Sequence, residues 1–366
     1  MKQTPLHALH VEQKAQMAEF AGYDMPIQYP TGVMTEHNWT RENAGIFDVS
    51  HMGQLTFEGN DVAKFLEKLC PSTFSTLGDN VAKYSVLMNE DGGMIDDLIV
   101  TKLSDSKFFA VVNGACKDKD IAWFKKHLPA DITLTHHENR ALIALQGPKS
   151  EKVLKEALDI DASDLNYMRY MEFGGRCWVS RLGYTGEDGF EISMPQEDAE
   201  TAWNKLMAHK DVKPIGLAAR DSLRLEMGYP LYGHDIDATT SPVEADSTWI
   251  MGKRENKDFI GADRVFKELE KGTVRKRVGV EITGRGVARE GAEVFDKTGS
   301  TKIGILTSGG FAPTLQKAIG QAYIETTHAH TGDDVVVRVR GRDIEARIAD
   351  MPFVQAKTKK SVKKAA

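Results

Sequence analysis

Until about residue 270 the chain alternates two hydrophobic rhythms, and after that it keeps to one. The stretches "GQLTFEG", "KFFAVVNG", "RALIALQ", "YMEFGGRCWVSRL" and "GFEISMP" are short apolar and β-branched runs that predict strands. Between them, "NDVAKFLEKLCP", "CKDKDIAWFKKHLP", "PKSEKVLKEAL" and "EDAETAWNKLMAH" carry the helical period, with Pro71 stopping the first and Pro148 in the first turn of the third. "AKYSVLMNEDGGMIDDLIVTKL" predicts a hairpin turning at "NEDGG". Ahead of these, "HVEQKAQMAEF" predicts a helical piece, followed by a loop with Pro26, Pro30 and Gly32. Two successive α+β units of this kind predict packed antiparallel sheets covered by helices. Beyond "FIGADRVFKELEKG", the last substantial helix, six short strands from "RKRVGVEIT" to "DIEARIAD" predict a small β-barrel or sandwich, with the boundary near 255 to 275.

One strand carries an oddity. In "GGMIDDLIV" two aspartates interrupt an apolar run, and alternation puts Asp97 on a face with Ile95 and Ile99 and Asp96 on the other with Met94 and Leu98. A carboxylate among aliphatic side chains must be hydrogen-bonded or neutralised, so at least one of the two needs a dedicated partner, in the protein or in a ligand.

Composition narrows the functional classes. The net charge of -6 argues against a general nucleic-acid binder, and no apolar run is long enough for a membrane span. The start, "MKQTPLHALH", lacks the apolar core of a signal peptide, so a cytoplasmic protein is expected. Three scattered cysteines and no ligand spacing among the eleven histidines predict neither a disulfide framework nor a metal site. No Gly-rich dinucleotide fingerprint and no phosphate-binding loop motif is present. The tail "AKTKKSVKKAA", residues 356–366, is lysine-rich with few apolar positions and reads as a solvated, disordered end.

Three further stretches are polar or glycine-rich beyond what packing requires: "DVSHMG", "SRLGYTGEDGFEIS" and "GLAARDSLRLEMGYPLYGHDID". Taken with "QTPLHALH", "FAGYDMPIQY", "GGMIDDLIV", "VVNGACKDKD", "ALQGP", "PVEADSTWIMGK", "TSGGFAPTL" and "MPFV", in this order, they resemble the aminomethyltransferase, or T-protein, family of the glycine cleavage system over nearly the whole chain. Tyr23 stands where that family often has tryptophan, and Gly310 and Phe311 fall in what reads as a variable turn.

The resemblance implies an α+β, three-domain folate-binding aminomethyltransferase fold with a C-terminal β-barrel or jelly-roll-like domain. The expected partition is 1–55 plus 145–255, then 56–144, then 256–355. It implies tetrahydrofolate as the acceptor, a lipoylated H-protein as partner, and no metal or flavin. Carried onto this sequence, it points to Asp97 as the catalytic group and to Tyr84, Asn113, Glu191 and Arg220 as folate contacts, with Tyr184 and Met52 as weaker ones. Taken alone, Glu191 could face solvent on an edge strand, Arg220 could pair with Asp221 or Glu226 on a helix surface, and Tyr84 could be core. His51 reads as a hydrogen-bonded structural residue. Two other functions stay open: a folate-dependent amine or sulfonium demethylase of the same superfamily, and a non-enzymatic folate-binding relative in iron–sulfur assembly. The fingerprint of a fused flavin domain and the K-G-C-x-x-G-Q motif of the latter are both absent.

Overall fold

The computed structural model describes residues 1–252 and 257–359. Eleven strands form one continuous sheet, in the order Val212–Pro214, Ala44–Asp48, Arg140–Gln146, Gly189–Pro195, Cys177–Arg181, Arg169–Phe173, Val81–Met88, Met94–Ser104, Lys107–Val112, Gly53–Gly59 and Ile132–His136. All neighbours run antiparallel except the first pair. The expected pair of packed sheets is therefore a single sheet, whose halves meet at one residue pair, Arg169 opposite Val81. Such a join depends on a contact between segments far apart in sequence, which no local pattern announces.

Strand alternation gives each half a helix-covered face and an inner face. On the first half, Ile143, Leu145, Phe190, Ile192 and Met194 pack beneath Val153 and Leu154 of helix Ser150–Leu158 and Ala199, Trp203 and Leu206 of helix Gln196–Met207. On the second, Leu55, Phe57, Leu98, Val100 and Phe108 pack against helix Val62–Leu69 and Phe124 of helix Lys117–His127. Each fully buried Leu or Phe contributes about 1.5–3 kcal/mol over its exposed state. The inner faces share a third cluster: Phe47, Val49, Leu142 and Ala144 from the first half meet Phe109 and Val111 from the second, so the two halves close on each other.

The expected cuts at 55/56 and 144/145 each fall inside a strand, Gly53–Gly59 and Arg140–Gln146. We propose cuts ahead of Gly53 and ahead of Arg140, which leave each strand whole within its own apolar cluster. The C-terminal unit closes as a six-stranded barrel, in the order Arg275–Ile282, Lys317–Glu325, Lys302–Ala312, Glu293–Phe295, Asp334–Val339 and Arg342–Ala349, around Val280, Val294, Leu306, Ile324 and Val337. Gly310 and Phe311, expected in a turn, lie within the third of these strands.

The N-terminal stretch also differs from expectation. Its helix ends at Glu12, Lys14 takes a left-handed φ of 58°, and Gln16–Phe20 pairs with Tyr23–Gln28 through Ala21 and Gly22, both at positive φ, as a two-residue hairpin turn requires. Helix Val33–Glu42 follows where no element was expected. It buries Glu36, His37, Thr40 and Arg41 rather than an apolar stripe, which removes the periodic signal.

Helix Leu217–Glu226 joins the barrel to the sheet. Arg224 donates from Nη1 to Asp235 Oδ2 at 2.7 Å and from Nη2 to Ser308 Oγ at 2.8 Å, and Glu226 accepts from Arg41 Nη2 at 2.7 Å and the Thr314 amide at 2.8 Å. The end of the described chain is docked, not free. The Phe353 amide donates to Glu226 O at 2.9 Å, Lys357 to Gly186 O at 2.8 Å, and the Tyr167 amide to Lys359 O at 3.0 Å. The solvated tail expected over 356–366 thus does not describe 356–359, where backbone partners hold it; 360–366 lie outside the described residues.

Candidate active site

The hairpin of Val81–Met88 and Met94–Ser104 turns as expected, and its geometry separates the two aspartates. Asp96 lies opposite Leu87 on the helix-covered face and is fully buried, while Asp97, opposite Val86, keeps part of its surface open toward the inner face. Asn113, just past the neighbouring strand Lys107–Val112, ties both together. Its backbone N–H donates to Asp96 Oδ2 at 3.0 Å, and its side-chain Nδ2 donates to Asp96 Oδ1 at 2.9 Å and Asp97 Oδ1 at 2.7 Å. Tyr84 Oη donates to Asp97 Oδ2 at 3.0 Å. Burial, reinforced by the charge of Asp96, raises the Asp97 carboxyl to about 7 despite these donors. The result is a carboxyl that can take up and release a proton near neutral pH.

Across the inner face, Glu191 occupies a central strand, opposite Ser180 on one side and Ala144 on the other, and is 8% exposed. It is not on a solvated edge. Its carboxylate accepts no hydrogen bond from a side chain or amide among the described residues, and burial raises its pKa while the Arg220 charge opposes the shift. Arg220 pairs with neither candidate neighbour: Asp221 accepts from Arg224, and Glu226 from Arg41. Its guanidinium lies 4.9 Å from the Tyr184 ring centre, and Nη1 is buried without an acceptor. Buried polar groups are nearly always satisfied, so an acceptor and a donor left over on one face mark a place for a ligand with the opposite pattern.

Tyr184 sits in the glycine-rich turn after strand Cys177–Arg181. Its hydroxyl donates to Pro230 O, and its ring stacks on Tyr229 at 5.7 Å. Gly186 in the same turn has φ +77°, and a Cβ there would lie 2.1 Å from Met227 Sδ, so any other residue here would be strained and would displace the Met227 side chain. Met52 packs at the margin of the shared inner cluster. The structure thus gathers Asp97, Tyr84 and Asn113 into one hydrogen-bonded group, and brings Glu191 and Tyr184 each beside the Arg220 guanidinium without a hydrogen bond among the three. Burial raises the Tyr184 hydroxyl, and the charge of Asp97 adds to the shift, so the two groups lie within electrostatic reach. A narrow cavity between the half-sheets is lined by Ile99, Val111, Leu142, Trp178 and Glu191.

His51 is buried, with Nδ1 unbonded, and burial together with Arg220 and Lys117 lowers it to about 4, so it is neutral at ordinary pH. Among residues not singled out from the sequence, Trp249 stacks on Tyr84 at 5.5 Å and Trp178 lines the cavity. Tyr229 had a sequence signal, the tyrosine-bearing loop after "LRLE"; Trp178 had none, because its strand alternates like any other. Among the described residues no group of three or more His, Cys, Asp or Glu is placed to hold a metal ion.

The eleven-stranded sheet and the six-stranded barrel thus frame a near-neutral carboxyl, Asp97, and a carboxylate and guanidinium, Glu191 and Arg220, with hydrogen-bonding capacity left over among the described residues. The chain matches the family models described as the GCVT N-terminal domain, over residues 6–255, and the glycine cleavage T-protein C-terminal barrel domain, over 275–355. It belongs to the glycine cleavage T-protein family of aminomethyltransferases. An aminomethyltransferase of Chloroherpeton thalassium is 41% identical, the match covering 97% of this chain and 99% of the relative. A probable mitochondrial aminomethyltransferase of Schizosaccharomyces pombe is 42% identical over 97% and 93%. The crystal structure of glycine cleavage system aminomethyltransferase T from Bartonella henselae superposes with a TM-score of 0.95 at 38% identity, covering 98% of this chain and 99% of that one.

Proposed function

We propose that the chain transfers the methylene of an aminomethyl group, carried on the lipoyl arm of an H-protein, to tetrahydrofolate. The products are 5,10-methylenetetrahydrofolate, ammonia and the dihydrolipoyl arm; the two hydrogens lost from the folate nitrogens end on the thiol and on ammonia. A cytoplasmic location is part of this proposal; among the described residues, no helix is long and apolar enough to cross a membrane. The observation that carries the reading is the pairing of Asp97, poised near neutrality, with Glu191 and Arg220, whose hydrogen-bonding capacity the protein leaves unfilled.

Each residue then has a role. Glu191 accepts two N–H bonds from the amino-pyrimidine edge of the pterin, a planar, charge-assisted contact. Arg220 offers its free Nη1 to an oxygen of the same substrate while Tyr184 holds its plane. Tyr84 and Asn113 fix the Asp97 carboxyl, which accepts or relays the proton released as a folate nitrogen attacks the methylene. Met52 and the apolar lining keep water from the reacting carbon.

The deciding experiment gives the purified chain tetrahydrofolate and aminomethylated, lipoylated H-protein, and follows methylenetetrahydrofolate and ammonia together. Equal yields of the two are expected, with no turnover when unlipoylated H-protein is supplied. Demethylation of sarcosine, dimethylglycine or a sulfonium compound by the isolated chain would replace this reading with the demethylase one. Folate binding without turnover in any of these assays would favour a non-enzymatic role.

A further inference from the structure

Asp120 is a buried carboxyl that the reaction as described does not use. It lies in the first turn of helix Lys117–His127, is 0% exposed, and has both side-chain oxygens buried without a donor among the described residues. The helix follows Asn113 after the short turn 114–116. The amides of Cys116 and Lys117 bond Asn113 O at 3.0 Å each, and the amide of Asp120 bonds Cys116 O at 3.0 Å. This path sets Asp120 within hydrogen-bonding reach of Asp96, on the helix-covered face.

Asp96 already accepts two bonds from Asn113. Two carboxyl groups therefore meet in a dry place, and of the two only Asp120 has no donor among the described residues. The cation nearest in sequence opposes protonation of Asp120 only by its charge and donates elsewhere: Lys119 Nζ bonds Tyr232 Oη at 2.9 Å and lies 4.0 Å from the Tyr232 ring centre. The Cys116 thiol, also within reach of Asp96, is raised by burial and by that carboxylate, and stays neutral. Adjacent buried carboxylates cannot both ionise, so one proton resides on the pair. Because Asp96 is the partner held by two N–H donors, it keeps the charge.

We propose that Asp120 stays protonated through the working pH range and donates its O–H to the Asp96 carboxylate, making Asp120 a positioning residue for the Asp97 site. Burial and the neighbouring Asp96 charge raise the Asp120 carboxyl to about 10, in agreement with this assignment. Two consequences follow. A single, fixed charge on Asp96 orients Asn113, whose Nδ2 also holds Asp97 at 2.7 Å. Asp97 also sees one negative neighbour instead of two; a second would drive its carboxyl above the useful range. The groups facing the pair are Asp97, Cys116, Lys119 and, beyond Lys119, Tyr232.

The second consequence rests on Asp97 being the acid–base group, so the test has two independent readouts. Infrared spectra of the full chain at about pH 8 should show a neutral carboxyl C=O band, sensitive to deuterium exchange, that Asp120→Asn removes and Asp97→Asn keeps. No Asp120-dependent band would overturn the proposal. In kinetics, Asp120→Ala should lower kcat about 10- to 100-fold by leaving Asp96 without its donor, and Asp120→Asn, which restores an N–H of similar shape, should recover most of that loss. The acid limb of the kcat profile should not move in Asp120→Asn. If Asp120 were ionised in the parent, the amide would delete a charge beside Asp97 and shift that limb down by about one pH unit or more, which refutes the proposal. Should Asp97→Asn keep full kcat, the reading of Asp97 fails, and the infrared band still decides where the proton sits.

Discussion

The barrel and the cleft between the half-sheets are both enclosed by strands, yet they are filled in opposite ways. The barrel interior holds Val280, Val294, Leu306, Ile324 and Val337, aliphatic side chains whose burial needs no partner. The cleft keeps Glu191, Ser180 and Ser193 among Leu142, Val111 and Trp178, and Arg220, whose charge acts on Glu191, leaves its Nη1 unsatisfied among the described residues. Close packing and unfilled hydrogen-bonding capacity exclude each other at one place, so the closed barrel serves stability while the cleft keeps the capacity the proposed chemistry needs.

The strongest way to break this contrast is at Asp97. Asp97→Asn keeps the shape and one acceptor but loses the titration, and kcat should fall about 10²- to 10⁴-fold with folate binding largely retained. Steady-state kinetics and folate titration on the same preparation check both halves. Glu191→Ala should weaken folate binding by about 2 to 5 kcal/mol with little change in melting temperature, as calorimetry would show. Unaltered affinity would return Glu191 to a merely buried role.

The same carboxyl sharpens the contrast through pH. The folded pKa of Asp97 is raised to about 7, above an unfolded value of about 3.9, so folding holds its proton more tightly. Stability from this group is full below the unfolded value and is lost as pH rises toward the folded one. Asp97→Asn should therefore melt higher than the parent above pH 7, with the gain shrinking to nothing below about pH 4. A parent melting temperature flat across that window would contradict the shift. The smallest effect belongs to the barrel: Ile324→Val should cost about 0.5 to 1.5 kcal/mol in chemical unfolding and leave kcat of the folded enzyme unchanged.

How much of this the sequence announces depends on the range of the contacts. The barrel strands and the "NEDGG" hairpin are legible because their signals, alternation and turn residues, lie within a few positions. The separation of Asp96 from Asp97 follows from alternation alone. Three features are not legible. Gln16–Phe20 sits in a stretch with a helical apolar spacing and becomes a strand only because Tyr23–Gln28 pairs with it. Helix Val33–Glu42 buries charged residues whose partners, Glu187 and Glu226 for Arg41, are distant in sequence. Asp120 reads as one more acidic residue in a helix's first turn, and only its packing over Asp96 gives it meaning. For Glu191 and Arg220, local pattern allowed a solvated carboxylate and a surface ion pair; the central strand and the Tyr184 ring set them otherwise.

The docked segment Phe353–Lys359 has a consequence for how the molecule is made. Gly186 O, in the turn bearing Tyr184, and the Tyr167 amide, just ahead of strand Arg169–Phe173, take their partners from Lys357 and Lys359. On the ribosome, the turn emerges long before the segment that pins it. The half-sheets can pair and bury their apolar layers while the barrel is still being translated, but the tyrosine platform reaches its final support only after the barrel has been synthesised. Assembly of the proposed site is thereby timed to the completion of the C-terminal barrel.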